Sequence, residues 1–83
     1  MTLNGRVVKA FREERELVGK DGIKKHVVVS RVLLMQNTDD NEMAQVVSYD
    51  ADFALPKEGT LNWKTPPVKK YENYRGMVAE VIV

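Results

Sequence analysis

The 83-residue chain has no cysteine, one histidine, one tryptophan and three prolines. Without cysteine it can build neither a disulfide framework nor a thiolate metal site, and it suits a reducing cytoplasm. A lone His26 excludes a multi-histidine metal centre, and Ser, His and Asp fall in no recognisable nucleophile motif. Neither glycine-rich phosphate signature is present, so nucleotide hydrolysis has no support. The Asp39-Asp40-Asn41-Glu42 cluster lacks the glycine and distal glutamate of a calcium loop. No apolar run approaches the roughly 20 residues that cross a bilayer, and Met1 to Gly5 holds no leader-like apolar segment. The expectation is a cytoplasmic protein with no membrane partner, no cofactor, no metal and no enzymatic activity, since no pair of titratable groups with a recognisable mechanism can be assembled.

What is present suits one folded domain over residues 1–83. Hydrophobic residues make up 43% and charged residues 30%, a balance that argues against disorder. A chain this short buries one modest core, which also favours pairing of subunits. Formal net charge is only +1, yet residues 1–35 carry eight Lys or Arg against four acids, residues 36–52 carry five acids and no Lys or Arg, and residues 53–83 carry five bases against three acids. A fold that gathers the two basic parts on one side would have an electropositive face; otherwise the surface is simply one of mixed charge.

Arg6–Phe11 and Val27–Met35 are rich in β-branched residues, the second apolar on both faces apart from Ser30 and Arg31, as a long curved central strand would be. Between them Gly19-Lys20-Asp21-Gly22 is a turn signal, because Gly and Asp supply positive φ where other residues are strained. A projecting hairpin follows. Asn37–Asn41 marks a second turn, after which Ala44–Tyr49 runs back as a strand. An acidic start and a proline stop around Asp50–Pro56 allow one helical turn at most. Leu61 and Trp63 alternate with polar neighbours in a half-buried strand over Thr60–Lys64, and Met77–Val83 closes the sheet. Five or so strands, one long and bent, make an all-β fold, a small barrel.

Two constellations could carry function. In Lys64–Arg75, the aromatics Trp63, Tyr71 and Tyr74 are interleaved with Lys64, Lys69, Lys70 and Arg75. Cations can follow phosphates while aromatic faces stack on unpaired bases, which is what sequence-independent binding of single strands requires. Pro66-Pro67 fixes the path into this loop. Equally open is a core Trp63, with Tyr71 and Tyr74 flanking a surface turn. The second constellation is the hairpin, with Arg12, Arg15, Lys20, Lys24, Lys25 and His26, diluted by Glu13, Glu14, Glu16 and Asp21. Its bases would form a wing over a phosphate backbone, or pair across the strands with its glutamates.

In pattern the chain resembles the small single-stranded-DNA-binding proteins of filamentous phages and related mobile elements, which are dimeric five-stranded barrels of the OB type. The resemblance rests on a short first strand, on Gly22-Ile23-Lys24-Lys25-His26 entering a long strand and on Phe53-Ala54-Leu55-Pro56 before a strand. It also rests on Tyr71-Glu72-Asn73-Tyr74-Arg75-Gly76 leading into the last strand. It implies that the hairpin is a DNA-binding wing using Arg15, Lys20, Lys24 and His26, with His26 standing where the family has an aromatic. It further implies that Tyr71 or Tyr74 stacks across a homodimer. The expected partner is single-stranded DNA, or RNA, in DNA replication. The competing expectation is a phage or plasmid accessory module that docks a protein through the acidic stretch 37–52 or a sheet edge.

Overall fold

The computed structural model describes residues 1–38, 42–72 and 77–81. Among them there is no helix, and six strands form one sheet: β1 (Asn4–Val18), β2 (Lys24–Gln36), β3 (Met43–Ser48), β4 (Trp63–Lys64), β5 (Val68–Glu72) and β6 (Met77–Val81). No helix is therefore long and apolar enough to cross a membrane. The strand order is β4-β1-β2-β3-β6-β5, antiparallel except where β3 runs parallel to β6.

That order has a geometric consequence. Its two ends, β4 and β5, are joined by Thr65, Pro66 and Pro67 alone, so the sheet has to curl until its ends meet. They meet at the N-terminus, where Thr65 N donates to Leu3 O (2.8 Å) and Val68 N to Met1 O (2.7 Å). The prolines sit in this junction, where a missing N–H costs the ladder least. The result is an all-β, OB-like barrel with a projecting basic hairpin.

Inside lie Leu3, Val7, Val32, Leu34, Ala44, Val46, Phe53, Ala79 and Val81, with Ala10, Leu55, Trp63 and Val68 packed against them. Phe53 and Trp63 meet edge to face, centroids 6.4 Å apart, so Trp63 belongs to the margin of the core. Each fully buried Val or Leu contributes about 1.5–3 kcal/mol. This apolar set, with no disulfide, holds the fold.

A β-bulge shapes the first strand. Val7 pairs with Leu34 and Lys9 with Leu33, leaving Val8 extra. The two backbone groups that Val7 turns away from β2 are taken by a turn distant in sequence: Val7 N donates to Thr60 O and Gly59 N donates to Val7 O, both 2.8 Å. Gly59 holds this turn at a positive φ of 88°. Because side chains alternate, one extra residue reverses the parity of everything beyond it. Leu3, Gly5 and Val7 are buried before the bulge; after it Ala10 packs toward the core while Lys9 and Phe11 face out.

Beyond the barrel, β1 and β2 continue as a two-stranded ribbon. β3 pairs with β2 only from Ser30 to Met35, whereas β1 stays paired to β2 down to Val18 opposite Lys24. The free ribbon extends about 20 Å at a rise near 3.3 Å per residue, and the molecule measures 46 × 25 × 19 Å. Its tip is the expected turn, with Gly22 N donating to Gly19 O and Gly19 N to Ile23 O, and with Gly22 at φ 77°.

Asp50–Phe53, where one helical turn at most is expected, is a hydrogen-bonded turn, capped by Asp50 Oδ1 accepting from Asp52 N at 2.8 Å. Two local expectations are corrected. The strand expected over Thr60–Lys64 shrinks to Trp63–Lys64, because Thr60 O is used by the bulge and Leu61 is exposed. Tyr71, expected in a turn, has its backbone in β5 opposite Ala79.

Candidate nucleic-acid interface

The outer face of β1 and β2 follows from the parity set by the bulge. Directly opposite pairs on it are Lys9–Leu33, Phe11–Arg31, Glu13–Val29, Arg15–Val27 and Leu17–Lys25. Side chains two apart in a strand share a face, so Lys9, Phe11, Glu13 and Arg15 form one outward row. The contacts agree. Lys9 Nζ lies 5.1 Å from the centroid of the Phe11 ring, an attraction of ammonium and ring quadrupole. Glu13 sits between two guanidinium groups, 2.9 Å from Arg31 Nε and 3.7 Å from Arg15 Nε. Phe11 is partly buried, the Arg31 side chain is only 14% exposed and Val29 beside them is fully buried, so this face is packed around Arg31, whereas Arg15 stands out on the ribbon at 50%. The row thus presents an aromatic ring, two guanidinium groups and an ammonium, interrupted by one carboxylate.

The opposite face of the ribbon carries Arg12, Glu14, Glu16 and Val18 against Ser30, Val28, His26 and Lys24. Arg12 Nη2 donates to Phe53 O at 2.8 Å, which ties the base of the ribbon to the loop that feeds the core. Lys24 Nζ stands 3.9 Å from Glu16 Oε1, with both side chains largely in solvent, a pair worth about 0.2–1 kcal/mol. Among the described residues Ser30 Oγ is buried without a hydrogen-bond partner. At the tip Leu17, Val18 and Ile23 are 47, 66 and 57% exposed, so the ribbon ends in an uncovered aliphatic knuckle beside Lys20 and Lys25.

The hairpin residues expected to act together are therefore divided: Arg12, Lys24 and His26 on one face, Arg15 and Lys25 on the other, and Lys20 at the turn. Lys64 pairs with Asn4 at the far end of β1, fourteen residues from the ribbon's last pair, so the structure does not bring it to the tip. Lys69 is exposed on β5. The backbones of Lys70 and Tyr71 belong to β5 but their side chains, like all of Tyr74 and Arg75, lie outside the described residues. Sequence reasoning missed Lys9, Phe11 and Arg31. The alternation Lys9-Phe11-Glu13-Arg15 was the available signal, but it reads as an outer face only once Val8 is known to be a bulge.

Comparison with protein-family models, with curated proteins and with solved structures gave no match. The class the coordinates define is thus one of architecture, a small OB-like barrel with a basic ribbon arm.

Proposed function

We propose that the protein binds single-stranded nucleic acid, DNA before RNA, without regard to sequence. The observation that carries this reading is the outward row on β1 and β2, where Phe11 stands beside Lys9 and directly opposite Arg31, with Arg15 further along. Barrels of the OB type bind oligonucleotides on the face of their second and third strands and on loops that include the one between the first two, and Arg31 lies on that second strand. A partly exposed ring offers a stacking surface that every base can use, while cations spaced along the strands follow phosphates. The ribbon arm extends the same face through Lys25, with Lys20 at the turn. The wider proposal is a cytoplasmic, homodimeric DNA-replication protein of a phage or mobile element, resting on the cysteine-free composition, the small core and the sequence resemblance.

The competing role as an edge-pairing interaction module finds less support. Along the barrel the edge of β1 is engaged by β4 and by the 57–60 turn, and Ala10 N donates to Glu58 Oε1 at 3.2 Å, so on β1 the unpaired edge left for an incoming strand is that of the ribbon. Anisotropy of a labelled oligo-dT at low and moderate salt, with a duplex of equal length as control, tests the proposal. Preference for the single strand that weakens as salt rises is expected; no binding at micromolar protein and low salt would sink it.

A further inference from the structure

On this reading of the outer face, we infer that Glu13 occupies a phosphate subsite of the protein's own binding surface and thereby sets its affinity. The carboxylate lies at the root of the ribbon, on the outer face where a nucleic-acid strand would run, bonded to Arg31 at 2.9 Å and near Arg15 at 3.7 Å. A carboxylate and a phosphodiester present the same thing to a guanidinium, anionic oxygens that accept N–H bonds in a fork. Among the described residues Glu13 is the single side chain bonded to Arg31. Its bond takes Nε, and among the described residues no side chain is bonded to either Nη group. Arg31 also stands opposite Phe11 in the ladder, which puts a phosphate on it next to a base on the ring.

The cost of withdrawing Glu13 is low. Its side chain is 41% exposed, so it can swing into water once a phosphate arrives, while Arg31, only 14% exposed, needs that phosphate in its place. The arrangement makes binding an exchange of one anion for another on Arg31. It dampens affinity and removes part of the counterion release that a bare pair of arginines would give.

Glu14 provides the control. It is the next residue in β1, it carries the same charge, it points to the other face opposite Val28, and among the described residues it forms no ion pair. Titration of oligo-dT across a salt series with the parent, Glu13→Gln and Glu14→Gln is the experiment. Glu13→Gln is expected to bind about fivefold more tightly at low salt, and its plot of log affinity against log salt should steepen by roughly 0.7 for each cation released. Glu14→Gln should keep the parental slope, and adding Arg31→Gln to Glu13→Gln should cancel the gain. Equal gains in both glutamine variants would reduce the effect to net charge and overturn the inference. So would a parent that binds and a Glu13→Gln protein that binds no better. Failure of every variant to bind would overturn the proposed function together with it, whereas binding by Glu13→Gln alone would mean that the subsite is fully blocked in the parent.

Discussion

Replacing Phe11 by alanine separates binding from folding. The ring is half-buried on the outer face, in contact with Lys9 and absent from the core cluster, so its removal opens no internal cavity. Loss of one stacking platform is worth about 1–3 kcal/mol per base, which corresponds to a five- to 150-fold rise in Kd for oligo-dT. The fold should lose less than the roughly 3–5 kcal/mol expected for a core phenylalanine. Phe53 supplies the contrast: it is 2% exposed and packs on Trp63. Phe53→Leu keeps most of its volume and should cost about 1–2 kcal/mol, lowering Tm by about 4–16 °C in a domain of this size. Oligo-dT affinity should stay near parental at a temperature where the variant remains folded. Anisotropy and thermal melting on the two variants give four numbers. A Phe11→Ala protein that binds as the parent does would refute the outer row as the platform, as would one whose loss of binding tracks a loss of structure.

Three further substitutions probe the rest of the molecule. Thr65→Val removes the hydroxyl that accepts from Leu3 N at 2.8 Å in the buried junction of the barrel; a stranded buried N–H should cost about 1–3 kcal/mol, read as a shift of the denaturant midpoint at unchanged m-value. Gly22→Ala meets no neighbouring atom but forces alanine to a φ of 77°, so about 1 kcal/mol of strain should appear at the tip, as faster amide exchange there with the barrel unaffected. Lys20→Gln with Lys25→Gln should flatten the salt dependence of oligo-dT binding by about 0.7 per lysine if both follow phosphates, and an unchanged slope would take the ribbon tip out of the interface.

The hairpin was legible because its cues are local. Gly19-Lys20-Asp21-Gly22 carries the turn in four consecutive residues, and Val27–Met35 shows by composition alone that it is a central strand. The barrel was legible from the number and spacing of such segments. The candidate interface was harder to see, since charge and aromatic content point to Lys64–Arg75 as readily as to the hairpin, and neither shows which side chains share a face. Arg12 illustrates the difficulty: it has the composition of a phosphate ligand, yet its guanidinium is bonded to the carbonyl of Phe53, forty-one residues on.

From the sequence alone come the all-β class, the single small core, the projecting ribbon and its turn, because alternation and glycine placement act over a few residues. Tertiary structure decided which face of β1 looks outward. Val8 becomes a bulge because Val7 bonds to Gly59 and Thr60, more than fifty residues away, and no local pattern can register a partner at that distance. That one extra residue turns Lys9 and Phe11 from core positions into surface ones and sets them beside Arg31.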